Sequence, residues 1–262
     1  MMKKNPVADL LRDGKPAIGT WVTLSPHPRV IALYAACGFD FVIIEMEHTD
    51  FGLETVGALL LTAREAGLVP FVRPPGTHDA HNLTRLLDSG AQGLILPAID
   101  SPEQIDGILQ ATKYHPRGHR PLNLRGVHTD FASLDTGTIT THVNANTLSV
   151  VMIESRKGLD ALSEICAGDG VDAIMIGPDD LSQDMGIPGQ LEHPDLLAAI
   201  DRIFETCAAS GTPCGLTCHT LEKAQLWLDK GATWLPYSND AAMVFNAASA
   251  AVPKLMEAAG RG

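Results

Sequence analysis

The feature that most constrains this chain is a recurring unit: a helical stretch closes on glycine, a few residues follow, and a short apolar run then ends in polar chemistry. Copies read AACGFDFVIIE, EAGLVPFVR, DSGAQGLILP, GDGVDAIMIGPDD and KGATWLPYSND. Glycine suits the left-handed position that ends a helix, and an uninterrupted apolar run suits a strand covered on both faces. Counting the runs gives eight candidate strands, at about 18–23, 41–44, 69–72, 93–96, 149–153, 173–176, 214–217 and 234–237. Most starts lie about 20 to 28 residues apart, room for a helix and two turns, and right-handed crossovers wind such strands into a parallel sheet. Eight parallel strands close a barrel. The pattern therefore predicts an α/β protein, a single (β/α)8 TIM barrel over residues 1–262. An open doubly wound sheet is the alternative, but the first strand is not followed by the G-x-G-x-x-G turn with which such sheets bind dinucleotides.

One interval is long. Between the fourth and fifth strands lie a helix near Pro102–Tyr114 and then KYHPRGHRPLNLRGVHTD, rich in Pro, Gly, Arg and His. Long insertions in barrels cover the active site or make subunit contacts, so this one is expected to be a lid or an interface element.

Charge and composition exclude whole classes of function. The net charge of −12 and the absence of any dense Lys/Arg block argue against nucleic acid. No apolar run approaches the ~20 residues needed to cross a bilayer. The start, Met1-Met2-Lys3-Lys4, is interrupted by Asp9, Arg12 and Asp13 before any export signal could form. Five unevenly spaced cysteines fit a reduced, cytoplasmic compartment.

The unusual chemistry gathers at the carboxyl ends of the candidate strands. Strand 2 ends in Glu45-Met46-Glu47-His48, strand 3 in Arg73-Pro74-Pro75, strand 5 in Glu154, strand 6 in Gly177-Pro178-Asp179-Asp180 and strand 8 in Ser238-Asn239-Asp240. In a barrel these ends share one face, where barrel enzymes keep their active sites. Crowded carboxylates repel unless protons or a cation compensate, which makes Glu154 and Asp180 candidate ligands of a hard divalent metal. Each has a second reading, Glu154 as a strand-end residue capping a helix and Asp180 as part of a helix N-cap. His48 is either a general base or a histidine satisfying nearby backbone, and the spacing Glu45-x-x-His48 would let the carboxylate bond one ring nitrogen and raise the basicity of the other. Glu47 is expected to pair with Arg73, which sits before two prolines in a rigid position suited to an anion.

Two absences narrow the chemistry. A Schiff-base aldolase needs a lysine projecting into the barrel, yet Lys113, Lys157, Lys223 and Lys230 all fall in helices or loops. After strands 7 and 8 there is no glycine-rich grip for a phosphate. Cys214 and Cys218 lie about 13 Å apart along an extended strand, too far for a shared ion, and are expected in the core. His219 is expected near the cavity mouth, and Met152 and Met175 in barrel packing.

The strings GTWVTLSPHP, GFDFVIIEMEH, VRPP, LLDSGAQGLILP, VMIES and VDAIMIGPDDLSQDMG resemble, in order and spacing, the HpcH/HpaI family of metal-dependent class II pyruvate aldolases. The resemblance implies a barrel of the phosphoenolpyruvate/pyruvate type. It also implies a divalent ion (Mg²⁺, Mn²⁺ or Co²⁺) and a homo-oligomer, usually a hexamer with exchanged helices, here the C-terminal one. The implied reaction reversibly cleaves a 4-hydroxy-2-keto acid to pyruvate and an aldehyde through an enolate held at the metal. On that resemblance Glu154 and Asp180 are the metal ligands, His48 with Glu45 the catalytic pair, and Arg73 the stabiliser of the enolate. Asp88 would serve a neighbouring subunit's site. Backbone around Gly177, Pro178 and Asp179 would hold the pyruvate carboxylate, and Trp21 would line the entrance. The chain departs from the family pattern at Glu45, Met152, Pro121 and Ser238-Asn239-Asp240, around the acceptor pocket and the histidine. Those departures keep a citrate-synthase-like condensing enzyme open as an alternative. A non-catalytic keto-acid or metal-binding protein is the third, disfavoured because binding alone needs no base.

Overall fold

A ring of eight parallel strands forms the centre of the molecule, in the order β7-β6-β5-β4-β3-β2-β1-β8. The computed structural model describes residues 2–261. The strands are β1 (Ala17–Val22), β2 (Phe41–Glu45), β3 (Val69–Arg73), β4 (Gly93–Leu96), β5 (Leu148–Ile153), β6 (Ala173–Ile176), β7 (Cys214–Leu216) and β8 (Trp234–Asn239). Each falls on an apolar run expected from the sequence. The helices are α1 (Pro6–Arg12), α2 (Arg29–Cys37), α3 (Leu53–Ala66), α4 (Ala80–Asp88), α5 (Pro102–Thr112), α6 (Thr136–Asn146), α7 (Arg156–Ala167), α8 (Pro178–Asp184), α9 (Pro194–Ser210), α10 (Leu221–Asp229) and α11 (Asp240–Ala258). The helices α2, α3 and α9 end on Gly38, Gly67 and Gly211 in the left-handed conformation, the stop signal read in the repeat.

The ring closes between β7 and β8. Thr233 donates its amide to the Cys214 carbonyl at 2.9 Å, and Cys218 donates to Pro236 at 3.0 Å. Closure needs a bare backbone at Gly215, where an added Cβ would stand 1.7 Å from the Trp234 carbonyl oxygen.

Two apolar shells hold the barrel. The outer one lies between strands and helices, where alternate strand residues such as Ile44, Val72, Leu94 and Ile174 meet Leu59, Leu86 and Ile203. The inner one fills the barrel, with Phe41 stacked on Trp234 at 4.2 Å between ring centres and Phe71 edge-on to both. The short helix α1 contributes Val7, Ala8 and Leu11 to that inner shell. Its cap residue Asn5 donates to the carbonyls of Gln92 and Asn146, so α1 stoppers the amino end of the barrel and leaves the carboxyl end open. Among the described residues no helix is long and apolar enough to cross a membrane.

The insertion at 113–130 corrects one expectation. It follows α5 and precedes β5, so it lies at the amino ends of the strands, opposite the mouth, and cannot be a lid over this chain's own cleft. Lys113 is buried there, its Nζ donating to the carbonyls of Asn144 and Thr147. Arg120 stacks on Tyr114 and pairs with Asp88 at 2.5 Å. The same interval also carries α6, a helix the sequence did not suggest.

Candidate active site

Parallel register builds the site. Glu45 and Arg73 are paired positions at the carboxyl ends of β2 and β3, and Arg73 Nε donates to Glu45 Oε2 at 2.5 Å. Arg73 Nη1 lies 3.3 Å from Glu47, the pairing expected from the sequence. Its guanidinium also faces the Trp21 ring, 4.9 Å from the centroid. Trp21 in turn donates its indole N–H to Thr217 Oγ1 at 2.9 Å. Arg73 is therefore fixed by two carboxylates and an aromatic face, and neither ion pair uses Nη2.

Ile153 and Ile176 are likewise paired, so the residues after them, Glu154 and Gly177, stand side by side. Glu154 Oε1 accepts the Ala98 amide at 2.6 Å, and Ala98 adopts a positive φ of 53° to present it. Glu154 Oε2 lies against Gly177, where an added Cβ would come within 2.8 Å of it. Burial pushes the Glu154 pKa up, opposed by the Ala98 amide, and the charges of Asp180 and Glu47 push it further. Asp179 and Asp180 occupy the first turn of α8, whose cap Gly177 has no side chain to satisfy their amides.

These residues share a cleft of about 320 Å³ at the barrel mouth, walled by Trp21, Glu45, Arg73, Glu154, Asp179 and Asp180. Its floor includes Met152 and Met175, which also belong to the inner shell as expected. Gly177 and Pro178 line it too, and so does His219 at one rim. No lysine borders it. Trp21 lines the cleft and is 7% exposed.

Two expectations are corrected, the Glu45–His48 pairing and the place of Asp240 in the cleft. Glu45 does not touch the His48 ring; its Oε1 accepts the amides of Glu47 at 2.6 Å and His48 at 3.1 Å, and so shapes the loop that carries the histidine. The His48 side chain is 67% exposed, 3.8 Å from Glu47, on an adjoining shelf that it shares with Glu154 and Asp180. Asp240 turns away from the cleft and accepts the amides of Thr23, Leu24 and Ser25. Asp88, expected to serve a neighbouring subunit's site, closes α4 at the amino face, bound to Arg120 and Asn123 and apart from the other candidates of its own chain.

Thr217 and Leu191 line the cleft and were not singled out as site residues, and Asn239, read in the polar end of the eighth strand, lines it too. Thr217 and Asn239 stand at strand ends, the signal that identified the others. Leu191 comes from the loop between α8 and α9, where no periodicity marks it.

Among the described residues no three His, Cys, Asp or Glu side chains converge into a metal cage. A cation in this cleft would rest on Glu154 and Asp180, with its other positions left to water and substrate oxygens. Two hard oxygen donors, one of them a carboxylate whose pKa is raised by burial and then by its like-charged neighbours, fit a small divalent ion.

An open-mouthed (β/α)8 barrel with a carboxylate-lined cleft around one anchored arginine defines an enzyme for small oxygen-rich substrates. The chain belongs to the HpcH/HpaI aldolase/citrate lyase family, whose sequence profile matches residues 17–247. It is 33% identical to the hydroxypyruvate/pyruvate aldolase of Deinococcus radiodurans, over 94% of this chain and 90% of that protein. It is 32% identical to the 5-keto-4-deoxy-D-glucarate aldolase of Escherichia coli, over 85% and 86%. The crystal structure of an HpcH/HpaI aldolase from Desulfitobacterium hafniense superposes with a TM-score of 0.91 at 30% identity, covering 95% of this chain and 96% of that one. The protein is a carbon–carbon lyase of that family.

Proposed function

We propose that the chain reversibly cleaves a 4-hydroxy-2-keto acid to pyruvate and an aldehyde, with a divalent cation (Mg²⁺, Mn²⁺ or Co²⁺) held by Glu154 and Asp180. The observation that carries this reading is the sharing of one cleft by those two carboxylates and the ion-paired Arg73. The cleft holds more carboxylates than cations, so an anionic keto acid needs a compensating positive charge to enter. When bound, a divalent ion supplies Lewis acidity at the 2-keto oxygen.

The protein's own groups divide the remaining work. The Asp179 and Asp180 amides, beside Gly177 and Pro178, receive the substrate carboxylate. Arg73 directs its guanidinium at the oxygen on which charge develops. His48, on the adjoining shelf, takes the proton from the C4 hydroxyl, the C3–C4 bond breaks, and its electron pair passes into the C2–C3 enolate while C4 leaves as the aldehyde carbonyl. Protonation at C3 gives pyruvate.

Two surfaces support a homo-oligomer, a hexamer with α11 exchanged between subunits. Val244, Phe245 and Leu255 of α11 are exposed, Phe245 by 70%, as are Leu122 and Phe131 of the insertion. In that assembly Asp88, held on the amino face by Arg120 and Asn123 of the insertion, serves a neighbour's cleft. The test of the reaction is a panel of 4-hydroxy-2-keto acids, followed through pyruvate release with metals added and withheld. Cleavage of none of them, or full activity in excess chelator, would refute it.

A further inference from the structure

Beside the main cleft, and sharing a wall with it, lies a second cavity of about 130 Å³ between the loop after α8 and the start of α10. Pro178, Leu191, Thr217 and His219 border both spaces. Behind them stand Ile200 of α9, Leu216 of β7, Cys218 and Trp227 of α10, all buried parts of the outer shell.

The polar groups around this space are already engaged. Thr217 Oγ1 accepts the Trp21 indole N–H, Thr220 Oγ1 accepts the Lys223 amide at 3.2 Å as the cap of α10, and Lys223 Nζ donates to Glu192 at 2.6 Å. The Cys218 thiol turns to the Pro236 carbonyl, 3.8 Å away. His219, which borders both spaces, has no ring hydrogen bond among the described residues. Away from His219 a polar occupant would give up its water for little in return, whereas a hydrocarbon loses nothing and gains about fourfold in binding for each methylene buried. An aliphatic cavity of about 150 Å³ holds benzene, so this one has room for a phenyl ring or an alkyl chain of roughly the same size.

We propose that this side cavity is a substituent subsite that takes an alkyl or phenyl group carried by one of the two fragments of the aldol reaction. The proposal rests on the aldolase reading above. The hydrocarbon group has two possible sources, the aldehyde or C3 of the keto acid, and the experiment separates them.

The metal-loaded protein is given pyruvate with acetaldehyde, pentanal or benzaldehyde in one series, and acetaldehyde with 2-oxobutanoate or 2-oxohexanoate in another. In the series that supplies the occupant, kcat/KM should rise at least about tenfold from the short to the long partner. Ile200 does not border the main cleft. Ile200→Trp, which fills the side cavity, should abolish that preference while acetaldehyde and pyruvate still condense. Ile200→Ala, which enlarges it, should move the preference to longer chains, and serves if the tryptophan variant does not fold. Condensation of small partners with no preference for longer ones, or a preference that neither variant alters, would overturn the subsite. Loss of every condensation together with any exchange of pyruvate methyl protons in D₂O would instead overturn the aldolase reading, and the subsite with it.

Discussion

Glu45 joins two parts of the site: one of its oxygens receives Arg73 Nε at 2.5 Å while the other holds the amides of Glu47 and His48. A single carboxylate, 2% exposed, thus sets both the arginine and the loop that carries the histidine. Groups that orient a functional residue typically cost 10- to 100-fold when lost. Glu45→Gln keeps the shape but not the charge, so kcat/KM for cleavage should fall by about 10- to 100-fold with the fold retained by circular dichroism. Wild-type kinetics in that variant would show that Glu47 alone suffices to hold Arg73.

Gly177 is the residue whose missing side chain makes room for Glu154. Its φ of −100° is open to any residue, so an alanine there is not barred by backbone strain; the obstacle is contact at 2.8 Å with the Glu154 Cβ and Oε2. Gly177→Ala should therefore displace the proposed ligand, weakening divalent-ion binding in calorimetric titration by at least about tenfold, with a small change in Tm. Unchanged ion affinity would separate Glu154 from metal binding.

Asp88 tests the shared-site reading. It lies at the amino face with Arg120, far from its own cleft by topology. If it completes a neighbour's site, inactive Asp88→Ala and inactive His48→Ala chains should regain activity when unfolded and refolded together. No recovery from mixed chains, or full activity of a sedimenting monomer, would sink it.

The eight strands were legible because most are short, largely apolar runs that end in glycine, proline or a polar residue, and strand-end position then located Glu45, Arg73, Glu154 and Asp180. The helix α6 was not, because it buries only Ile139 and Val143 and, apart from Ala145, its other positions are threonine, asparagine, glycine and histidine, all weaker helix formers. Placement of the insertion was missed although connectivity alone decides it: a segment leading from a helix into a strand must sit at the amino end of the barrel. The Glu45–His48 pairing failed for a different reason. Spacing brings a carboxylate near a residue, but the nearest donors are backbone amides, and these took the oxygen.

The buried His128 should make the insertion acid-sensitive. Its ring is buried beside Tyr114, Arg120 and Asp88, with Nε2 3.9 Å from the Asp88 carboxylate. Burial pushes its pKa down and the Arg120 charge adds to that, against the pull of Asp88. In the unfolded chain it titrates near 6.5, so between that value and its lower native one only the unfolded state binds the proton. Stability therefore rises with pH across that window and is lost as pH falls below about 6.5. His128→Gln should flatten the fall in unfolding free energy on the acid side, by up to about 1.4 kcal/mol per pH unit, in denaturant titrations at several pH values. Identical slopes would place the acid sensitivity elsewhere.

The two halves of the chemistry should separate between His48 and Arg73. His48 stands exposed on the shelf, while Arg73 is clamped inside the cleft between Glu45, Glu47 and Trp21. A group in the first position suits the hydroxyl proton of the acceptor carbon, and one in the second suits the charge that develops on the keto oxygen. Losing a positioned general base costs about 10² to 10⁴ in rate, but enolate formation does not require that base if a divalent ion acidifies the methyl protons. His48→Ala should accordingly lose aldol cleavage while keeping measurable exchange of pyruvate methyl protons with D₂O. Arg73→Ala removes stabilisation of charge that arises in both processes, so cleavage and exchange should fall together. NMR of pyruvate in D₂O beside a cleavage assay reads the pattern. Equal loss of exchange in the two variants would mean that His48 also serves enolisation, and the division of roles would be wrong.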